Sequence, residues 1–206
     1  MEVEFEHHQH PFTSMKDFIL HILTISLGIS LALAGEAALE HRQHHELVAE
    51  TREAFHNQID DNRKAVTEHM KALADTQARL QNVLTLVDID FVAARQAAIS
   101  ARHPFIDLDT DSWDPAVTTG ALTYMNLGEV RQYSKIHVDE LALNKLSHED
   151  EDTWFQLAEY NAGKAADLDA NDRKAAKKLL RKATAYAKWI AGQEQDLLRM
   201  YDQVAR

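Results

Sequence analysis

The chain contains no cysteine, and only three prolines and six glycines among its 206 residues. Without cysteine it can form no disulfide framework, thiol nucleophile, cysteine-type zinc site or cysteine-ligated iron–sulfur cluster. With so few residues that interrupt regular structure, it reads as long helices joined by few turns. It also lacks a nucleophile elbow, a phosphate-binding glycine loop, a recognisable catalytic triad and a DNA-reading motif. Catalysis and nucleic-acid binding are therefore not expected, and no cofactor is implied. What is present is an ordinary hydrophobic content of 45% and an acidic balance, with a formal net charge of -11. That composition suits a folded protein rather than a disordered chain.

The hydrophobic residues are not evenly spread. Phe18 to Gly35 reads FILHILTISLGISLALAG, eighteen residues without a charge, bracketed by Lys16-Asp17 and Glu36. At 1.5 Å per residue such a helix covers about 27 Å, close to the hydrocarbon thickness of a bilayer, and Ala37 to Leu39 can extend it. A transmembrane helix over residues 17–39 is expected, with His21 one turn inside, near the interface. A cleaved signal peptide is the rival reading, because Ala32-Leu33-Ala34 resembles a small-residue cleavage site. Against it, the apolar run exceeds the usual signal core, and fourteen residues precede Met15. Ser26, Ser30 and Ala34, with Gly28, Ala32 and Gly35, form small-residue rows that would let a second helix approach closely. Lys16 on one side faces Arg42 and Arg52 on the other, which leaves the direction of insertion open.

From Glu36 to Arg102 there are 67 residues with neither Gly nor Pro, enough for a rod of about 100 Å if wholly helical. Steps of three and four from Val48 pick out Val48, Thr51, Phe55, Ile59, Asn62, Val66, Met70, Leu73, Gln77, Leu80, Leu84, Val87, Phe91, Ala94 and Ala98. This is a narrow seam that predicts a coiled-coil-like stalk, with polar Asn62 and Gln77 helping to fix register. Leu84 to Phe91 is also β-compatible, with Asp88 and Asp90 alternating against apolar neighbours, and is where a break would fall. His103-Pro104 ends the rod.

After an acidic loop, Ser112 is expected to cap a helix from Trp113 to about Asn126, in which Gly120 would admit a neighbouring backbone. Leu127-Gly128 reads as a turn. Helices then follow over Glu129 to about Leu146, from Ser147 onward, and from Asn171 or Asp172 to the carboxyl end. Residues 171–206 hold nine Lys or Arg against four Asp or Glu, a net of +5 that leaves -16 over residues 1–170. A basic last helix laid against an acidic hairpin accounts for both.

The predicted fold is thus all-α, an N-terminal transmembrane helix continuing into a long helix, plus an antiparallel helical bundle. Its parts are a His- and acid-rich leader over 1–16, the transmembrane helix over 17–39, the stalk over 40–103, and a bundle over 104–206 packing back on the stalk. Twelve histidines raise the question of metal. His41, His44 and His45 follow the span, and His41 and His45 lie one helical turn apart, a spacing at which two imidazoles can share an ion. The leader adds His7, His8 and His10. Asp107-x-Asp109-x-Asp111 resembles the first half of a calcium loop, but Ser112 and Thr118 stand where its turn glycine and bidentate glutamate belong.

Three stretches carry a family likeness: Leu27-Gly28-Ile29-Ser30-Leu31-Ala32-Leu33, the charged helix with Ile59 and Asn62, and Trp113-x-x-Ala116-x-x-x-Gly120-Ala121-Leu122. With these the chain resembles a group of uncharacterised bacterial single-pass membrane proteins. Gln58 departs from the acidic residue expected before Ile59, as does the acidic, His-rich leader. The resemblance implies a helical domain on the periplasmic side of the inner membrane and brings no activity with it. The expected role is an interaction or accessory component, anchored in the lipid bilayer, as a homo-oligomer or a subunit of a membrane complex. The alternatives are a periplasmic metal-binding or sensing protein using His41, His44 and His45, and a soluble bundle released by cleavage after Ala34.

Overall fold

The computed structural model describes residues 14–162 and 169–204, and no strand occurs among them. The protein is all-α. The elements are α1 (Met15–Ile89), α2 (Phe91–Ala101), α3 (Trp113–Thr118), a short 3₁₀ turn (Ala121–Tyr124), α4 (Leu127–Ala162) and α5 (Ala170–Val204). The chain divides into two compact units, Met1–Leu47 and Val48–Arg206. The boundary falls inside α1, which has 75 residues. His7, His8 and His10 lie outside the described residues.

The first unit begins α1 at Ser14, whose hydroxyl oxygen accepts the backbone N–H of Lys16 at 3.2 Å. The helix then presents every side chain from Met15 to Gln43 at its surface. Nothing in the unit covers Leu20, Leu23, Leu27 or Leu31, each at least 60% exposed. The two hydroxyls at Thr24 and Ser30 donate back to the carbonyls of Leu20 and Ser26, at 2.9 and 2.8 Å. Their polar atoms are thereby satisfied within the helix.

The second unit is a bundle whose directions follow from its cross-contacts. Arg52 meets Glu129 and Gln58 meets Glu140, so α4 runs alongside α1 in the same sense. Arg63 faces Asp202 and Lys177 pairs with Asp88, so α5 runs against α1. Between them α2 returns, with Arg102 reaching Glu151, and the chain continues as an extended strap, residues 102–112, before α3. The result is an up-down-up-down arrangement in which the second position is half helix and half strap.

The core of this unit is apolar where the elements are helical. Val66, Leu73, Leu80, Val87, Leu143, Ile190 and Leu197 are all at most 1% exposed, and burial of a side chain of this size is worth roughly 1.5–3 kcal/mol. Phe55 stacks on Tyr133 with ring centroids 4.4 Å apart. Trp113 stacks on His137 at 5.1 Å.

The break anticipated within Leu84 to Phe91 is present, and several other local expectations are corrected. The rod breaks at Asp90, which is extended and accepts the N–H of Ala93 at 3.0 Å, so an acidic side chain caps α2. The seam on α1 takes His69, Thr76 and Val83 as buried positions, with Met70, Gln77 and Leu84 only partly covered. The steps 66, 69, 73, 76, 80, 83 and 87 alternate three and four, the 3.5-residue repeat of a supercoiled seam. The helix expected to run to Asn126 stops at Thr118 because Gly120 adopts φ +74, a left-handed conformation that ends a helix cheaply only at glycine. A Cβ at Gly120 would meet nothing within 4 Å, so close approach is not its role.

Leu127-Gly128 opens α4 rather than forming a free turn. Asn126 supports that start, its side-chain oxygen accepting the N–H of Gly128 at 2.8 Å. No break occurs at Ser147, so one 36-residue helix replaces the two expected.

Candidate functional site

The unusual feature of the bundle is polar. Gln58, Asn62, His69 and Thr76 on α1, Glu140, Ser147, Asp150 and Thr153 on α4, His103 on the strap and Glu194 on α5 are all buried. Buried polar groups persist when their hydrogen bonds are made, because each unmade one costs about 1–3 kcal/mol. Here they serve two purposes.

One is to hold the strap. An extended segment packed on helices has no ladder partner for its backbone, so side chains supply the bonds. Asn62 receives the N–H of Asp109 at 3.0 Å and donates to its carbonyl at 2.7 Å. Asn144 does the same for Leu108, at 2.7 and 2.8 Å. Ser147 accepts the N–H of Ile106 at 3.3 Å, and Gln58 that of Ser112 at 2.9 Å. Ile106 and Leu108 turn inward, each 4% exposed, while Asp107 between them faces out. The hydroxyl of Ser112 makes no cap on α3 and lies instead 3.4 Å from the carbonyl of Ala54.

The other purpose is to hold charge inside. Glu140 is wholly buried and accepts from Tyr201 at 2.7 Å, Asn62 at 2.8 Å and Gln58 at 3.1 Å. Burial raises its pKa to about 7, against the lowering effect of those three donors and with a further raise from Asp109. Burial beside Glu140 pushes the Tyr201 phenol up as well.

About two turns beyond Asn62 on α1, His69 Nδ1 contacts Glu194 and His69 Nε2 faces the Pro104 carbonyl at 2.8 Å. His103 Nδ1 faces the same carbonyl at 2.7 Å, and its Nε2 lies 2.8 Å from Asp150. Trp154 also donates to Asp150, at 3.1 Å. Burial disfavours the His69 imidazolium, but the hydrogen bond and charge of Glu194, the Pro104 carbonyl and the charge of Asp150 outweigh it, and its pKa is raised. His103, Asp150, Phe105, Ser147 and Trp154 line a cleft with room for about one water molecule.

Residues singled out from the sequence lie in the first unit. His41 and His45 bring their rings together edge to face, centroids 4.4 Å apart, both exposed, with His44 half-buried. Among the described residues no group of three or more His, Asp or Glu converges to hold a metal ion. Ser26, Gly28, Ser30, Ala32, Ala34 and Gly35 are all exposed, and a Cβ at Gly28 or Gly35 would meet nothing. The basic face of α5 is partly used within the bundle. Lys177 pairs with Asp88, and Arg173 lies 5.4 Å from the Phe91 ring centre.

Neither the Glu140 cluster nor the buried junction of His69, Glu194, His103 and Asp150 is visible in the sequence. The junction's one available signal was the 3.5-residue step, which places His69 and Thr76 on the seam. No family model matches the chain, and no curated protein or solved structure matches it either.

Proposed function

We propose that this is a single-pass protein of the bacterial inner membrane whose helical bundle stands in the periplasm. On this reading it acts as an interaction or accessory component without catalysis, as a homo-oligomer or as a subunit of a membrane complex. The observation that carries the reading is the apolar part of α1, an eighteen-residue window of mean hydropathy 2.1 with none of it buried by the protein. Water is a poor solvent for such a surface. Ten of the residues from Phe18 to Gly35 are Phe, Ile or Leu. At about 0.3–0.6 kcal/mol each near a bilayer centre, they contribute roughly 3–6 kcal/mol toward insertion. The back-bonded hydroxyls of Thr24 and Ser30 remove a further cost, since lipid offers them no partner.

The resemblance in Leu27 to Leu33 and in Trp113-x-x-Ala116-x-x-x-Gly120-Ala121-Leu122 supports the inner-membrane and periplasmic assignment. The small-residue rows of the span favour close contact with another helix. Carbonate washing of native vesicles tests the anchor, and retention of the full-mass chain in the pellet is expected. Cross-linking in membranes followed by native mass measurement tests the assembly. A lone monomer, under conditions that preserve other complexes, would overturn it.

The approach of His41 to His45 favours a second reading, a metal-binding or sensing protein using His41, His44 and His45. Elemental analysis of the purified chain decides it. Stoichiometric metal that is lost in the His41→Ala, His45→Ala double variant supports this reading, and a metal-free chain removes it.

A further inference from the structure

We propose that the meeting point of Glu194, His69, His103 and Asp150 is a proton-operated lock on the start of the strap, closed when both imidazoles are protonated and opened by loss of their protons. Each of the four segments of the bundle contributes one titratable side chain to it: α1 gives His69, α5 gives Glu194, α4 gives Asp150 and the strap gives His103. All four are buried.

The protonation state follows from what each ring nitrogen faces. Of the two outer nitrogens, His69 Nδ1 is hydrogen-bonded to the Glu194 carboxylate, and His103 Nε2 lies 2.8 Å from Asp150 as an ion pair without hydrogen-bond geometry. The two inner nitrogens, His69 Nε2 and His103 Nδ1, face one carbonyl oxygen at 2.8 and 2.7 Å. That oxygen has two lone pairs and no hydrogen, so it is served twice only when both inner nitrogens carry a proton. Two imidazoliums between two carboxylates are also neutral as a set, which a buried cluster requires. Loss of one proton can be absorbed, because the inner nitrogens lie 3.2 Å apart and can share the remaining hydrogen. Loss of the second sets a nitrogen lone pair against the Pro104 carbonyl and leaves each carboxylate facing a neutral ring.

The position of the lock decides what opens. Pro104 has no N–H, and the first clasp beyond it is the 3.3 Å bond from Ile106 to Ser147. Of the stronger clasps, Asn144 on Leu108 touches no titrating group, whereas Asn62 on Asp109 also donates to Glu140 at 2.8 Å. Deprotonation therefore frees the strap at its His103 end while Leu108 stays bound. The other charged groups facing the junction are Arg102 on the strap, ion-paired to Glu151 on α4, and Glu149 on α4, which accepts from Tyr186 on α5 at 3.2 Å. Arg63, on the preceding turns of α1, is directed to Asp202 at 3.7 Å. None of these supplies a second cation to Glu194 or Asp150 when the imidazoles discharge.

The lock does not depend on the membrane reading. It is tested on the full chain in detergent by two measurements. The first is nitrogen NMR of ¹⁵N-histidine protein at pH 6, where the expected result is two histidine rings protonated at both nitrogens, with His69 retaining that state above the ordinary histidine range. The second is hydrogen exchange from pH 6 to pH 9, corrected for intrinsic rate. Protection at Ile106 is expected to fall at least tenfold as the pH rises, with Leu108 unchanged.

His103→Gln keeps one donor for Pro104 but no titration, and should abolish the pH step at Ile106. Should that variant fail to fold, the wild-type NMR titration stands on its own. Singly protonated rings at pH 6, or protection that is flat with pH, would overturn the lock. So would stoichiometric Zn²⁺ binding at the two inner nitrogens that restores protection at high pH, since the site would then be a metal site.

Discussion

The two units of this protein solve opposite solvation problems with the same helix. Up to Gln43, α1 turns Leu and Ile outward and folds the hydroxyls of Thr24 and Ser30 back on its own carbonyls. From Val48 onward it turns Leu, Val and Phe inward and carries amide, imidazole and carboxylate contacts with them into the core. On the proposed reading lipid surrounds the first pattern. The second suits water outside and hydrogen bonds to most of the polar groups within. A side chain of one type should therefore behave differently in the two places.

The largest contrast is charge in the span. Leu27→Arg with Leu31→Arg should cost about 5–7 kcal/mol of insertion, taking roughly 2.5–3.5 kcal/mol for each arginine at the centre. Carbonate extraction should then release the chain, while circular dichroism of the bundle stays unchanged. Release of the bundle fold together with the anchor would break the contrast.

Truncation sharpens it. Leu80 is fully buried, and Leu80→Ala should destabilise the bundle by about 2–5 kcal/mol in chemical denaturation. Leu31→Ala, at a 65% exposed position, should leave the bundle's midpoint where it was.

Acid–base behaviour separates the units next. Glu140 carries a pKa of about 7 in the fold against 4.5 when exposed, so the folded state binds the proton more tightly. Its contribution favours folding below pH 4.5, declines as pH rises from 4.5 to about 7, and is flat above. The shift corresponds to about 3 kcal/mol. Glu140→Gln retains an oxygen for Tyr201 and should remove that slope, leaving the variant more stable than the parent at pH 8. A variant less stable at pH 8, with the slope intact, would place the titration elsewhere. The raised pKa of His69 acts in the same direction at higher pH, being stabilising below 6.5 and lost as pH passes its folded value.

The smallest effect belongs to the surface. Arg52 pairs with Glu129 through two bonds of 2.6 and 2.8 Å, yet Arg52 is 44% exposed. Arg52→Ala should cost no more than about 1 kcal/mol, less at high salt.

The helical class, the apolar stretch and the break near Asp90 were legible in the sequence because each rests on local chemistry: run length, periodicity and the few breakers. The seam was read correctly at Val66, Leu73, Leu80 and Val87 and shifted by one at His69, Thr76 and Val83. At those steps a rule that prefers apolar residues picks Met70, Gln77 and Leu84 instead. Ser147 looked like a helix start because its hydroxyl and the acids after it suit an N-terminus, whereas here they serve a strap some forty residues earlier in the chain. That pairing is nonlocal, as are Asn62 with Asp109 and Glu140 with Tyr201. No window of sequence contains both partners, and this is why the titratable core was not visible in advance. His41 and His45 were visible because they are neighbours on one helix.

The absence of cysteine offers the most direct measurement on the anchor. Single cysteines at Leu20, Leu23, Leu27, Leu31 and, as a bundle control, His56 can carry a nitroxide label in protein reconstituted into bilayers. Its exposure to oxygen and to a water-soluble nickel complex then reports depth. The expected result is oxygen access rising to a maximum near Leu27 with the nickel complex excluded, and the reverse at His56. Equal nickel access at Leu27 and His56 would contradict a lipid-embedded α1 and with it the membrane-anchored reading.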